Sequence, residues 1–430
     1  MRLGRCWCAA LAEQRTPAVA KLLYLVHRLP YPPNKGDKVR SYHLLRHLAA
    51  RHQVYLGTFV DDPDDLQHLP VVRGLCADVC AVTLQTQAAK LRSLVGLLTG
   101  EALTLRYYRS TVLRTWVEHT VAAQQIDAVV VFSSSMAPYA LAHPGLPMLA
   151  DLVDVDSAKW TEYADRHGWP MSWLYRREGE RLLTYERSVV AQARRSFLVT
   201  DKEVALFGRL APESQGQVLA LGNGVDADFF QPGPARPSPF ADGEQALVFT
   251  GAMDYWPNVD AVCWFVEQVL PLLRQRWPAL RLHIVGRSPT PAVQALSGEA
   301  VHVTGTVPDV RPYLQHAAVV VAPLRLARGV QNKVLEAMAM ARPVVAAAHC
   351  VEAIDAQDGQ EILAATDAAD HAARITALLA DRARADAIGQ AGRACVLARY
   401  SWPARLAGID TELSRAMPAV ARPEPEMVLP

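Results

Sequence analysis

With 430 residues, the chain is long for a single hydrophobic core, so we expect two or three domains. Its 44 basic and 43 acidic residues nearly cancel, which excludes the global field that attracts nucleic acid, and any anion site must be local. The seven cysteines are odd in number and form no paired C-x-x-C clusters with histidine, which is typical of reduced thiols in a cytoplasmic protein and argues against a metal site.

The first part of the chain has the pattern of an α/β domain. Residues 1–20 lack a clean apolar segment, and we interpret them as a disordered or misassigned extension. The pattern over residues 21–225 predicts a parallel sheet covered by helices. Its elements are predicted as a strand at 22–27, a loop at 29–38, a helix at 39–51 and strands at 53–59, 127–132 and 196–199. The longest uncharged stretch, 128–150, contains three prolines and three consecutive serines, so we do not expect it to span a membrane.

A second α/β domain is predicted after the glycine- and proline-rich segment GNGVDADFFQPGPARPSPFADGEQ, where we expect a linker at 226–245. The domain itself is predicted at 246–400, followed by a C-terminal helix at 401–417 and a disordered tail at 418–430. Its elements are predicted as strands at 246–250, 280–286, 301–307, 318–324 and 342–348 and helices at 259–277, 310–316 and 370–399. Two such domains facing each other would leave a cleft at the carboxyl ends of their strands, where folds of this class bind ligands.

The segment RLARGVQNKVLEAMAMARPVV has the pattern of an anion site between a strand and a helix. A helix start presents free backbone amides and a positive dipole end to a phosphate. Gly329 allows close approach of the backbone, and Arg328, Lys333 and Asn332 are hydrogen-bond donors. Glu336 lies four residues after Asn332, hence on the same helix face, where its carboxylate would accept hydrogen bonds from a ribose. Together these groups describe a site for a nucleoside diphosphate.

The same segment has a second interpretation. Arg328 and Lys333 are then solvated surface charges, Gly329 forms a turn and Glu336 caps a helix. Glycines next to basic residues are common in loops, so the local pattern leaves both interpretations open.

Longer stretches of the sequence resemble glycosyltransferase family 4, whose members have the GT-B fold. The resemblance rests on AVVVAPLRLARGVQNKVLEAMAMARPVV, GNGVDADFFQP and LVFTGAMDYWPNVDAVCWFVEQVLP and covers about residues 21–410. The stretches YLVHRLPYPPNKGDKVRSYHLLRHLA and DLVDVDSAKW further resemble sugar transferases of bacterial PEP-CTERM/exosortase exopolysaccharide systems. The implied structure is α/β, a GT-B fold of two facing Rossmann-like domains with parallel sheets and a C-terminal helix that crosses back to the first domain.

The resemblance implies a hexosyltransferase-like enzyme that is cytoplasmic or peripheral at the inner membrane. It would move a sugar from a nucleoside-diphosphate donor, bound mainly by the second domain, to a glycan or lipid-linked acceptor, bound mainly by the first. In a retaining reaction the acceptor hydroxyl attacks from the face that the diphosphate leaves, and the diphosphate takes the proton. No metal, other cofactor or nucleic acid is expected.

The resemblance also assigns a donor site. Glu336 matches the second Glu of the family's Glu-x7-Glu pattern, which binds ribose, whereas Arg328 replaces the first Glu. The family's usual Gly-Arg after the first strand of the second domain is here Gly251-Ala252, so Arg287 or Arg328 would supply the missing guanidinium. The donor residues that we predict are Gly36, Gly251, Arg287, Arg328, Gly329, Val330, Asn332, Lys333 and Glu336.

Gly36 belongs to this set because it resembles the family's glycine-rich N-terminal loop, which lies against the donor phosphates. Lys35, Lys38 and Arg40 would make this loop unusually basic. A solvated loop before a helix is the alternative interpretation.

Lys333, Asp154 and Asp156 are predicted to take part in catalysis. Lys333 would stabilise the leaving diphosphate. Asp151, Asp154 and Asp156 follow a predicted strand that begins near Met148, in a pattern superficially like the metal-binding pair of the other large glycosyltransferase fold. The GT-B resemblance argues against metal, since Lys and Arg neutralise the leaving group. Asp154 or Asp156 would orient the acceptor hydroxyl or stabilise charge on the sugar, with a helix cap or salt bridge as the alternative.

Two stretches, 90–110 and 159–183, combine aromatic and basic residues. Amphipathic segments of this kind lie on membranes, where a lipid-linked acceptor would be found. Buried helix faces would account for the same residues, and Trp169, Pro170 and Trp173 are alternatively part of an acceptor pocket.

Two rival functions stay open. A catalytically silent GT-B protein, which binds nucleotide or a partner transferase, is favoured by the departures from the family pattern at Ala252 and Arg328. A sugar-nucleotide epimerase of the same fold would convert the donor without an acceptor.

Overall fold

The computed structural model describes residues 19–33, 36–233, 236–326 and 330–417. They form two compact α/β units. The first unit comprises the described residues up to Gly222 and those from Leu406 onward, and the second comprises Asn223–Arg405. The predicted tail at 418–430 and nearly all of the predicted extension at 1–20 lie outside the described residues.

The first unit contains a parallel sheet of seven strands within the described residues. The strands are β1 (Lys21–Val26), β2 (Gln53–Val60), β3 (Asp78–Thr83), β4 (Ala128–Phe132), β5 (Met148–Val153), β6 (Arg195–Leu198) and β7 (Val218–Ala220). Their order is β3-β2-β1-β4-β5-β6-β7, so the direction of winding reverses between β1 and β4. This is the switch point at which open α/β sheets bind ligands. The Leu- and Val-rich sequences of β1 and β4 fit strands that are buried on both faces.

Helices connect these strands. They are α1 (Gly36–Ala49), α2 (Leu69–Arg73), α3 (Thr86–Ser93), α4 (Val95–Thr99), α5 (Leu103–Tyr107), α6 (Thr111–Gln124), α7 (Ala137–Leu141), α8 (Asp156–Asp165), α9 (Met171–Gln192) and α10 (Asp201–Leu210), with short 3-10 turns at Pro63–His68, Ser134–Met136 and Pro212–Ser214.

The second unit repeats this architecture with six parallel strands among its described residues. They are β8 (Ala246–Thr250), β9 (Arg281–Val285), β10 (Val301–Gly305), β11 (Val319–Ala322), β12 (Val344–Ala347) and β13 (Leu363–Ala365). The order is β10-β9-β8-β11-β12-β13, which places the switch point between β8 and β11. The helices are α11 (Trp256–Trp264), α12 (Leu270–Arg274), α13 (Pro291–Gln294), α14 (Arg311–His316), α15 (Asn332–Ala339), α16 (Ala348–Glu352), α17 (Ala368–Ala380) and α18 (Arg382–Arg399).

Two predicted helices differ from the structure. The helix predicted at 259–277 begins earlier, as α11, because a proline fits its first turn, and a π-helical turn at Phe265–Val269 joins it to α12. The single helix predicted at 370–399 is wrong. Asp381 separates α17 from α18, and its carboxylate accepts a hydrogen bond from the Arg384 amide at 3.0 Å, which caps α18.

The segments that flank the second sheet are held by specific contacts. Within the predicted linker, the Gly233 amide donates to the Gln315 side chain at 3.0 Å, and Gln315 donates back to the Gly233 carbonyl at 2.7 Å. The last helix, α19 (Trp402–Ala416), passes from the second unit into the first. There Asp410 lies 2.8 Å from the ring of His47. No helix in the described part of the chain is long and apolar enough to cross a membrane.

Candidate functional site

Two glycines shape the carboxyl end of the second sheet. Gly251 follows β8 and Gly286 follows β9, with φ angles of 154° and 156°, which residues with a Cβ rarely adopt. The Gly251 amide donates to the Val285 carbonyl at 3.0 Å, and a Cβ added at Gly286 would lie 1.7 Å from the Gly251 carbonyl oxygen. The two backbones therefore cross in direct contact, and no larger residue fits at Gly286.

A pocket of about 700 Å³ lies at this crossing, entirely within the second unit. It extends from the ends of β8 and β9 to the first turns of α15, and its size is typical of small-molecule sites, roughly 300–1,000 Å³. The structure brings together around it six of the predicted donor residues, namely Gly251, Arg287, Val330, Asn332, Lys333 and Glu336.

Lys333 is the central charged group of the pocket. Its ammonium donates to the side-chain oxygen of Asn258 and lies 4.3 Å from the centre of the Phe249 ring. Asn258 in turn donates to the Ala252 carbonyl at 2.8 Å, which fixes the orientation of its amide. Burial lowers the pKa of Lys333 to about 8, although the nearby Glu336 carboxylate opposes this shift. Among the described residues Lys333 makes no ion pair, so its charge is available to an anion.

Glu336 lies one turn further along α15 and also lines the pocket. Burial raises the pKa of its carboxyl to about 7, and Lys333 partly opposes the shift. Asn332, four residues earlier, lines the pocket from the same helix face. The N-cap residue of α15 makes no side-chain capping hydrogen bond, and the first backbone amides of the helix add positive potential there.

Arg287 is exposed at the pocket and makes no ion pair within the described parts of the chain. Its position is compatible with the predicted replacement of the missing arginine at Ala252, and this role stays a prediction. Arg328 and Gly329 lie outside the described residues.

Sequence reasoning missed Asn258 and Thr250, which also line the pocket. The buried Thr250 hydroxyl has no hydrogen-bond partner in the described ranges and is therefore available to a ligand. The signal for both is the stretch TGAMDYWPN, in which a strand ends at a glycine and a helix follows. It is the same strand-to-helix pattern that revealed Lys333.

The predicted basic loop of the first unit has a different character. Gly36 is exposed and begins α1, and Lys35 lies outside the described residues. Lys38 and Arg40, each 1% exposed, are buried and paired. Lys38 forms an ion pair with Asp65, whereas Arg40 binds both carboxylate oxygens of Asp151, at 2.7 and 3.0 Å.

The expectation that Lys38 and Arg40 make the loop basic is therefore wrong, because buried carboxylates neutralise both charges. Asp151 is not after the strand, as expected, but inside β5. The donor-binding role of Gly36 stays a prediction.

Asp154 and Asp156 lie at the end of β5 and the start of α8. Both carboxylates accept hydrogen bonds from the Lys159 ammonium, at 2.8 and 3.2 Å. Burial raises the pKa of Asp156. The structure thus contains the salt bridge that was the alternative to catalysis, and a role in catalysis stays a prediction. No group of three or more His, Cys, Asp or Glu residues in the described ranges is arranged to hold a metal ion.

Glu186 is a buried carboxyl beneath the start of α8. It accepts hydrogen bonds from the Ser157 hydroxyl at 2.5 Å and from the Ser157 amide at 3.3 Å. Burial raises its pKa to about 8 despite these bonds, and the neighbouring Asp156 carboxylate adds to the shift. Glu186 thus anchors the helix that carries Asp156.

Residues 244–381, within the second unit, match the family model described as "Glycosyl transferases group 1". The match covers the pocket side chains from Thr250 to Glu336. No curated protein matches the chain.

Solved structures share the fold over 91–93% of the chain. Sucrose-phosphate synthase from Thermosynechococcus elongatus is 18% identical, with a TM-score of 0.56 over 91% of this chain and 98% of that chain. HepE from Anabaena, in complex with UDP, is 15% identical, with a TM-score of 0.58 over 92% and 100%. A glycosyltransferase from Rickettsia africae is 11% identical, with a TM-score of 0.60 over 93% and 99%. At these identities the likeness establishes the GT-B fold, and together with the family match it supports a glycosyltransferase.

Proposed function

We propose that this protein is a retaining glycosyltransferase that moves a sugar from a nucleoside-diphosphate donor to a lipid-linked glycan in bacterial exopolysaccharide biosynthesis. The observation that carries the proposal is Lys333, whose ammonium has the neutral Asn258 amide as its hydrogen-bond partner. A buried charge that makes no ion pair is costly, and a bound diphosphate would compensate it.

The pocket offers suitable groups for each part of the donor. The diphosphate would lie against the Gly251 backbone and the start of α15, within reach of Lys333 and Arg287. One turn further, Glu336 would accept hydrogen bonds from the ribose hydroxyls, while Val307 and Val310 offer apolar surface to the base. HepE, a protein of the same fold, was solved with UDP and with UDP-glucose, so UDP is the first nucleotide to test.

In the proposed reaction the bond between the sugar and the diphosphate breaks as the acceptor oxygen bonds to the sugar carbon on the same face. Negative charge grows on the departing diphosphate, and the Lys333 ammonium and the Arg287 guanidinium would stabilise it. The diphosphate takes the acceptor proton, so no protein nucleophile is needed. Asp154 and Asp156 would orient the acceptor hydroxyl, a role that competes with their ion pairs to Lys159.

A thermal-shift panel with UDP, GDP, ADP, CMP and dTDP tests the donor site. A ligand at about 100 times its dissociation constant stabilises the folded state by roughly 2.7 kcal/mol. We expect one diphosphate to raise the melting temperature clearly and Lys333→Ala or Glu336→Ala to abolish the shift. A folded protein that responds to no nucleotide would contradict the proposal.

The second candidate is a catalytically silent nucleotide-binding protein of the same fold, favoured by Ala252 and Arg328 in place of the usual Arg and Glu. Incubation with UDP-sugars, with and without a lipid-linked glycan, separates the candidates. We expect release of UDP together with a glycosylated product. Nucleotide binding without turnover would support the silent protein, and conversion of the donor without an acceptor would support an epimerase.

A further inference from the structure

The surface of α3 and α4 has an inverted pattern of burial. Within residues 91–99 the buried positions are Ser93 and Gly96, whereas the large apolar side chains point outward. The exposed apolar side chains are Leu91, Leu94, Val95, Leu97 and Leu98, and Leu98 is 89% exposed. A helix that packs only on its own protein buries leucine and exposes serine. This apolar surface therefore fits a partner that is itself apolar.

Two exposed tryptophans lie at the start of α9. Trp169 is 84% exposed, and Trp173 lies in the first turn of α9. Arg177 joins α9 to α4, since its guanidinium donates to the Gly96 carbonyl at 2.6 Å. Trp173 lies four residues before Arg177, and therefore on the side of α9 that faces α4. We group the five exposed apolar residues between 91 and 98 with Trp169 and Trp173 and call them the leucine–tryptophan surface.

The rigid attachment of this surface is built into the fold. The buried Glu178 carboxylate accepts hydrogen bonds from the Leu103 amide at 2.7 Å and the Thr104 amide at 2.8 Å, which ties α5 to α9. Arg177 adds a second bond, to the Glu101 carbonyl at 3.2 Å. The outward leucines therefore belong to a fixed structure and not to a loosely attached segment.

Positive charge flanks the surface. Residues 86–110 carry Lys90, Arg92, Arg106 and Arg109 against one acidic residue, Glu101. Glu101 pairs with Arg106 at 2.5 Å and with Arg109 at 2.8 Å. Lys90 and Arg92 are exposed and make no ion pair among the residues that the structure describes. Their charge is available to phosphates outside the protein.

We propose that the leucine–tryptophan surface docks the protein on an anionic lipid bilayer. The leucines and tryptophans would enter the boundary between headgroups and acyl chains, where both residue types are favoured, while Lys90 and Arg92 contact lipid phosphates. A symmetric dimer through this surface would bring the same unpaired cations together, which disfavours a second copy as the occupant. The inference concerns the first unit and does not depend on the proposed donor site.

The structure corrects one sequence interpretation at this point. Buried helix faces do not explain the apolar residues of 91–98, because five of them are exposed. The same holds for Trp169 and Trp173.

Flotation with vesicles tests the proposal. We expect the wild-type protein to bind vesicles of phosphatidylcholine mixed with phosphatidylglycerol, and to bind phosphatidylcholine alone much more weakly. Leu97→Asn combined with Leu98→Asn should weaken binding at least about tenfold, because apolar burial is lost. Lys90→Gln and Arg92→Gln should each weaken it roughly fivefold and reduce its dependence on salt.

Leu397→Asn is the matched control, since Leu397 is an exposed leucine on α18 of the second unit. It should bind vesicles like the wild type, and all variants should keep the wild-type melting temperature and UDP response. Acyl-brominated lipids should quench wild-type tryptophan fluorescence, and Trp169→Phe should remove much of this quenching. This second measurement tests the proposal even if Leu97→Asn/Leu98→Asn does not fold. Absence of vesicle binding, or binding equal in Leu97→Asn/Leu98→Asn and wild type, would overturn the proposal. A concentration-dependent dimer that Leu98→Asn abolishes would also overturn it, because the surface would then bind a second copy of the chain.

Discussion

The switch points of the two sheets have the same topology, but the cation at the first is ion-paired and the cation at the second is not, among the residues that the structure describes. Next to β1, the cation Arg28 already pairs with Asp37 at 3.0 Å and with Asp61 at 2.9 Å. Next to β11, Lys333 contacts a neutral amide and an aromatic ring. A basic residue thus indicates a binding site when it has no ion-pair partner. Its charge alone does not.

The pKa shifts follow the same division. In the first unit, a hydrogen bond from His27 and the charge of Arg28 hold the pKa of the Asp37 carboxyl well below its usual range. In the pocket of the second unit, burial lowers the pKa of Lys333 and raises that of Glu336. At the switch point of the first unit the charges are therefore paired, whereas the pocket of the second unit favours a ligand that supplies the missing negative charge.

The largest effect on stability is expected at Gly286, where the Gly251 backbone leaves no space for a side chain. Gly286→Ala should lower the free energy of unfolding by more than about 4 kcal/mol, because the added methyl group would overlap the Gly251 carbonyl. Gly298→Ala is the control, since a Cβ there meets no atom within 4 Å, and it should change stability by less than about 0.5 kcal/mol. Denaturant unfolding of the two variants measures the difference. Similar stability for both would show that the crossing tolerates a side chain.

Removal of the charge should have opposite effects on stability at Arg40, which is ion-paired, and at Lys333, which is not ion-paired in the described residues. Arg40→Met leaves Asp151 buried without its partner and should lower stability by about 3–5 kcal/mol. Lys333→Met removes a buried charge that has no ion-pair partner in the described residues, so its stability should equal or exceed that of the wild type. Thermal denaturation without nucleotide compares them. Equal destabilisation would contradict the distinction between the two switch points.

The affinity for UDP should depend on pH through Lys333. Below pH 8 the amine is mostly protonated and binds the diphosphate, whereas above its pKa of about 8 the affinity should fall by up to about tenfold per pH unit. Lys333→Arg keeps its charge in this range and should not show the decline. Calorimetric titrations between about pH 6.5 and 9.5 measure this dependence. A decline that persists in Lys333→Arg would assign it to another group.

A separate pH dependence, of stability and not of binding, is expected at the enclosed carboxyl of the first unit. The folded pKa of Glu186, about 8, exceeds its ordinary value of 4.5, so its stabilising proton is lost as pH rises through this range. Glu186→Gln keeps a hydrogen-bond acceptor for Ser157 and lacks this titration. Its stability relative to the wild type should therefore rise by about 3–4 kcal/mol between about pH 5 and 8. A stability difference that does not vary with pH would show that Glu186 is not the titrating group.

Sequence patterns predicted the parts of the site that are local in the chain. Asn332 and Glu336 lie four residues apart, so their shared helix face was readable from spacing. Asn258 lies 75 residues from Lys333, and its hydrogen bond depends on the packing of β8 beside β11. The pair of Arg40 and Asp151 spans 111 residues, and without its distant partner Arg40 had the pattern of an exposed loop cation.

Prediction of the strands and of the exposed faces was also limited to what a local pattern reveals. The fully buried strands β1, β4 and β8 were predicted from their apolar runs, whereas β7 and β13 have three residues each and too short a pattern to be recognised. The stretch 90–110 was recognised as amphipathic, but only the packing of Gly96 against Leu103 and its hydrogen bond from Arg177 of α9 determine that the leucines face outward.

The most direct measurement is a calorimetric titration of UDP into the wild type and Lys333→Met at neutral pH. Methionine retains an apolar side chain beside Phe249 but removes the charge that the diphosphate would contact. We predict binding that is roughly 10–100-fold weaker, in a variant whose melting temperature without nucleotide is at least that of the wild type. Unchanged affinity in the variant would contradict the assignment of Lys333 as the diphosphate-binding residue.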